Sequence, residues 1–222
     1  KVNIIEITGL KGSTPTSERS RGFYESLAGQ NRVHVKASIE GKWLKADAAA
    51  ALLKIKDSLA SGDIIFAQND PMILGAYAVY KSLGFEKSAR FIGVDGLPGP
   101  DGGIQLVADK ILEATLLNPT GGEEAIQTAF KILNQEPVDR EIILSTVVID
   151  ASNVRILKLQ TDKIAGLQKD IENQVNLLAN QKRLYQNQHV VLYVQAAALV
   201  LVIGFGALLY FTLRRNRATN RQ

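Results

Sequence analysis

An α/β fold is what this sequence predicts: a parallel, doubly wound sheet, followed by a long polar helix and one transmembrane helix. Three observations carry that reading. Short apolar strands alternate with helical patterns through residue 150, which implies a parallel sheet covered on both faces. Apolar residues then recur every seventh position from Leu157 to Tyr185. Finally, Val190 to Leu213 reads VVLYVQAAALVLVIGFGALLYFTL, 24 residues without a charge.

The elements come in this order. Val2–Ile7 is an apolar strand. A loop rich in Gly, Ser, Thr and Pro, Gly9–Thr16, leads to a helix at Ser17–Leu27. Val33–Ser38 alternates as a half-buried strand does, and Lys45–Ser61 has helical spacing of its apolar residues. Ile64–Ala67 is a short strand. Pro71–Leu83 is a helix, with Asp70 as its natural N-cap and Pro71 at the first helical position. Arg90–Val94 and Glu113–Leu117 are strands. Thr120-Gly-Gly-Glu123 has the form of a capping box for a helix running to Leu133. Glu141–Ile149 is the last strand. The organisation expected is a lobe over residues 1–150, a juxtamembrane helix over 151–189, a span over 190–213 and a basic tail over 214–222.

The heptad Leu157, Ile164, Ile171, Leu178, Tyr185 argues for left-handed helix pairing, and hence a homodimer. Its companion seam, Gln160, Leu167, Gln174, Gln181, Gln188, is mostly glutamine, so the pairing is weak. The alternative is an amphipathic helix lying on the domain. A 24-residue helix rises about 36 Å, enough for a hydrocarbon core of roughly 30 Å. Arg214, Arg215, Arg217 and Arg221 come next, with no acid among them. By the positive-inside rule the C-terminus is cytoplasmic. The preceding lobe is then periplasmic, if the source is Gram-negative, on a single-pass inner-membrane protein. Lys182 and Arg183 on the other flank weaken this assignment of orientation but not that of insertion.

The net charge is +4, and the four tail arginines account for all of it. The basic balance therefore reports the membrane flank, and no basic patch with interleaved aromatics points to nucleic acid. No cysteine is present, which excludes disulfide, thiolate-metal and cysteine-nucleophile chemistry. His34 and His189 are far apart and suggest neither a metal nor a catalytic base. The chain opens at Lys1 directly into a strand, without initiator methionine or signal segment, and is expected to be a fragment.

In a doubly wound fold, ligands sit beyond the C-terminal ends of the strands. There the sequence places Thr14, Ser17 and Arg19, then Trp43, then Gln68, Asn69 and Asp70, then Asp95 and Gly96, then Asn118. Carboxylates, amides, a guanidinium and an indole suit a neutral polyhydroxyl ligand, whose hydroxyls need donors and acceptors and whose apolar face can lie on an aromatic ring. Several have a plainer reading. Asp70 is favoured as a cap rather than a ligand, Asp95 could be a turn residue, Arg19 could pair with Glu18 or Glu25, and Trp43 could be core.

Phe66-Ala-Gln-Asn-Asp70, Phe91-Ile-Gly-Val-Asp-Gly96 and Arg19-Ser-Arg-Gly-Phe23, in that spacing, resemble the C-terminal half of type I periplasmic sugar-binding proteins, the ribose- and galactose-binding group. The resemblance covers roughly residues 1–150. It implies one lobe of that fold, with Arg19, Trp43, Asn69, Asp95 and Asn118 facing a sugar. The family often has Gln where Asn118 stands and Phe where Trp43 stands. No cofactor, metal or catalytic residue is implied. A sugar lobe joined to a polar helix and a span resembles the sensor half of Bacteroides-type hybrid two-component receptors, which implies a monosaccharide ligand, with fructose as the candidate, and a histidine kinase beyond the membrane. A membrane-tethered substrate-binding component of a sugar transporter is the alternative. An extracellular enzyme has less support, because no nucleophile–base pair is visible.

Overall fold

The computed structural model describes residues 1–219, with side chains through residue 213. Arg221, one of the four tail arginines, lies outside the described residues, and the side chains of the other three are likewise not described. The chain divides into two units, Lys1–Lys163 and Ile164–Gln222.

The first unit is a mixed α/β sheet with helices on both faces. Its strands are β1 (Val2–Thr8), β2 (Val33–Glu40), β3 (Ile64–Ala67), β4 (Arg90–Asp95), β5 (Ala114–Leu117) and β6 (Val148–Asp150). Between them run α1 (Thr14–Leu27), α2 (Lys45–Leu53), α3 (Lys56–Leu59), α4 (Asp70–Ser82), α5 (Gly103–Ala108) and α6 (Gly122–Leu133). The strand order is β2-β1-β3-β4-β5-β6, and every pairing through β5 is parallel. The order reverses at β1, between β2 and β3, which makes the carboxyl ends of β1 and β3 the switch point of the sheet.

Strand alternation sorts the two faces. Ile5, Ile7, Ile65 and Ala67 are fully buried, in one core with Leu52 of α2 and Met72, Ile73, Ala76 and Tyr80 of α4. On the other face Glu6 stands in register with Ser38 and Phe66. There α1 covers the sheet, with Phe23 stacked on Phe66 at 4.8 Å and the Tyr24 hydroxyl donating to Glu6.

Several boundaries differ from the sequence expectation. The first helix begins at Thr14 rather than Ser17, with Pro15 in its opening turn, where a missing N–H costs nothing. The expected helix Lys45–Ser61 is broken at Ile55, whose φ of −114° and ψ of 23° leave the helical region. Helix α5 has no counterpart in the sequence expectation; its six residues, GIQLVA, are too few to show a period. No capping box forms at Thr120: Gly121, at φ 65°, is the N-cap, without a side-chain hydrogen bond. The last strand is not Glu141–Ile149 but three residues, Val148–Asp150, paired antiparallel to β5. A parallel return needs a crossover helix packed on the sheet, and α6 has no buried residue.

Helix α7 (Val154–Thr219) begins in the first unit, where Leu157 packs against the core. In the second unit the heptad residues Ile164, Ile171, Leu178 and Tyr185 are exposed, as are the apolar side chains of 190–213. This is one helix long and apolar enough to cross a membrane, with a mean hydropathy of 2.3 over its most apolar window.

Candidate functional site

The site is built where β1, β3 and β4 end. Helix α1 leaves β1 through the loop 9–13 and brings Arg19 back over the sheet edge. Its guanidinium donates to the Gln68 carbonyl and to Asp95 Oδ1, the latter at 3.2 Å. The same group lies 5.4 Å from the centre of the Trp43 ring, a cation–π distance. Trp43 is half-buried, packs on the core, and sits in a turn with positive φ at both Lys42 (52°) and Trp43 (69°). That turn presses the indole onto Gly9, where an added Cβ would meet the ring at 2.0 Å. Glycine at position 9 is therefore what makes room for Trp43.

Asn69 joins the group from the start of α4. Its side-chain N–H donates to the Trp43 carbonyl at 3.0 Å, and its Oδ1 accepts from the Met72 N–H at 2.9 Å. Asn69, not Asp70, is thus the N-cap, and one amide serves both the cap and the Trp43 loop. Each of its polar atoms keeps one unused valence for a ligand. Asp95 ends β4 at φ 119°, a backbone region costly for any residue with a side chain. Burial raises its carboxyl above the usual range, opposed by the charge and hydrogen bond of Arg19. Arg19, Trp43, Asn69 and Asp95 are therefore brought together. Asn118 is adjacent through its backbone, its N–H donating to the Asp95 carbonyl at 3.0 Å, and its side chain is exposed.

Beneath these lies a buried polar layer that sequence reasoning missed. Glu6 is fully buried and accepts from Ser20, Tyr24, Ser38 and Gln68, at 2.7–3.2 Å. Gln68, also fully buried, accepts from the Gly9 N–H and donates to Glu6 and to Ser20. The layer ties α1, β1, β2 and β3 together directly under Arg19. The available signal was one acid among the isoleucines of the strand Val-Asn-Ile-Ile-Glu-Ile-Thr. A second buried carboxylate, Asp70, accepts from Gly96, Leu97, Gly103 and Thr115. Burial, and to a lesser degree the charge of Asp95, push it up to about 6, against the opposing pull of its donors.

An open depression of about 520 Å³ lies at the opposite end of the sheet, lined by Tyr77, Arg90, Phe91 and Glu113 among others. It has no part in this constellation.

No family model matches the chain. Among curated proteins, the ribose import binding protein RbsB of Haemophilus influenzae is 32% identical over 151 residues, 66% of this chain and 49% of that protein. The chain spans about half the length of the curated relatives it matches. Among solved structures, the fructose-binding periplasmic domain of a hybrid two-component system superposes with a TM-score of 0.72 at 36% identity, covering 78% of this chain and 58% of that one. The periplasmic binding protein of the arabinose ABC transporter from Shewanella sp. ANA-3 gives 0.67 at 23% identity, with 76% and 57% covered, a likeness of fold. The structural neighbours of this chain are thus type I periplasmic sugar-binding proteins, and its α/β unit has the architecture of one lobe of that family.

Proposed function

We propose that the chain is the sugar-sensing, membrane-anchored part of a transmembrane receptor of the hybrid two-component type, with a monosaccharide such as fructose as ligand. The observation that carries this reading is the 36% identity, over 78% of the chain, to the fructose-binding domain of such a system. The site chemistry supports it. Asp95 accepts hydrogen bonds from sugar hydroxyls, Arg19 and Asn69 donate to sugar oxygens, Asn118 supplies an amide from the edge, and Trp43 offers a ring face. The lobe is periplasmic, α7 crosses the inner membrane within 190–213, and the basic tail is cytoplasmic. Two copies pair through the heptad of residues 151–189, and the sugar response passes along that helix to a kinase. This reading contains no catalytic step in the chain itself.

The curated relatives are import binding proteins, which favours a second reading, a tethered substrate-binding component of a sugar transporter. Calorimetric titration of the natural full-length protein with D-fructose, D-ribose and D-glucose tests the shared part. Saturable binding of one of them supports a sugar site, and binding of none removes it for those sugars. Fructose-dependent phosphorylation in membrane vesicles, lost with Asp95→Ala, separates receptor from transporter. Sugar uptake without phosphorylation gives the transporter reading the function.

A further inference from the structure

We propose that Asp70 is a positioning residue for the sugar site: its buried carboxylate clamps the turn after Asp95 and so holds Asp95 in the strained backbone conformation that turns its side chain toward Arg19. The inference rests on the reading of Asp95 as a sugar ligand.

The geometry is specific. Oδ2 of Asp70 accepts from the Gly96 N–H at 2.9 Å, the Gly103 N–H at 3.1 Å and the Leu97 N–H at 3.4 Å. Oδ1 accepts from the Thr115 hydroxyl at 2.7 Å, and that hydroxyl oxygen also faces the Gly96 N–H at 3.3 Å. Three of the four donors thus belong to the segment that leaves Asp95. The two residues at the junction, Asp95 and Gly96, both have positive φ, 119° and 62°. Glycine explains the second but not the first, and an aspartate stays there only when its surroundings hold it.

The carboxylate is built into its place. A Cβ at Gly93 would stand 2.3 Å from Oδ1, and one at Gly103 would stand 2.3 Å from Oδ2. Asp70 is fully buried, and among the described residues no ion pair reaches it. Such a group is costly to bury, and the helix does not need it, because Asn69 is the cap. The clamp on the 96–103 turn is the role left to it.

The test is a double-mutant cycle in the natural full-length protein, titrated with D-fructose and D-ribose by calorimetry. Asp70→Asn keeps the shape and removes the charge. It is expected to weaken binding by about tenfold or more, and Thr115→Val by a few-fold. In an Asp95→Ala background, adding Asp70→Asn should change affinity by less than about twofold, because the route through Asp95 is already gone. Equal losses in both backgrounds, or an unchanged affinity in the single variants, overturn the proposal. Should Asp70→Asn fail to fold, Thr115→Val is carried through the same cycle and judged by the same criterion. Should the parent bind neither sugar, the sugar-site reading fails for those sugars, and the clamp is judged on the backbone. Faster amide exchange at Gly96 and Gly103 and loss of positive φ at Asp95 in the variant sustain it. Unchanged exchange and φ overturn it.

Discussion

Arg19 reaches the site already held on three sides, by the Gln68 carbonyl, by Asp95 and by the Trp43 ring. In the proposed sugar site, a guanidinium fixed in this way would lose little further freedom on meeting a sugar oxygen, so its hydrogen bonds would carry a low entropic cost. The same pair leaves Asp95 with acceptor capacity beyond the single Oδ1 contact. Asp95→Ala should cost about 1.5–3 kcal/mol of binding, one to two decades in affinity. Calorimetry on the folded variant checks it, and an unchanged constant would remove Asp95 from the site. Trp43 is the only tryptophan of the chain, and its emission should shift in wavelength or intensity on sugar saturation; a flat titration would count against stacking. Asp70 gives a pH signature. Its folded value, about 6, stands above its ordinary 3.8. A carboxyl that holds its proton more tightly in the folded state stabilises the fold most below its unfolded value. That contribution is lost as pH rises through the folded value. Between pH 4 and 6 the native protein should therefore lose stability relative to Asp70→Asn, by at most about 3 kcal/mol. Urea unfolding across that range reads the difference, and a trend of opposite sign would show that the donors, not burial, set the proton affinity.

Among the elements, α7 carries the prediction that separates a signalling strut from a leash. In the proposed dimer its seam is largely glutamine, so two packings of the pair are expected to differ by only a few kcal/mol, a gap that a ligand can bias. Two residues inserted after Asn173 rotate the downstream helix by about 200°, whereas seven nearly restore the face. The sugar response of the full-length protein should be lost or locked by the first insertion and largely kept by the second. Equal responses would mark the segment as a passive tether. Legibility also differed by element. Strands β1 to β5 were readable because each is a short apolar or, in β2, alternating run between turn residues, and that is local information. The antiparallel β6 was not, because its direction depends on whether α6 packs on the sheet, which it does not, and the amphipathic pattern of α6 says only that it has an apolar face. Asn69 and Asp70 were both good caps by type. What decided between them was the room left by Gly93 and Gly103, distant in sequence. Four of the five proposed sugar ligands do converge, because strand ends and motif order fix them. The Glu6 and Gln68 layer escaped notice because buried polar partners come from four separate segments.

For the whole molecule the decisive quantity is orientation across the bilayer. The tail carries four arginines and no acid, and the proposed topology, by the charge rule, keeps it in the cytoplasm. The chain has no cysteine of its own, so single cysteines report cleanly. In intact spheroplasts a membrane-impermeant maleimide should label Gln30→Cys in the lobe and not Ala218→Cys in the tail, and the reverse pattern would invert the topology.

The packing around Asp70 has a consequence in descent. Positions 70, 93 and 103 are separated by as many as 33 residues in the chain, yet one carboxylate touches both glycines at distances that leave no room for a methyl group. Inheritance should treat them as one locus. A lineage that keeps aspartate at 70 must keep both glycines. One that acquires alanine at 93 or 103 survives only where 70 has already shrunk. The order of substitution is thereby constrained: position 70 changes first and the glycines change after it. Once they have changed, reversion at 70 alone is blocked.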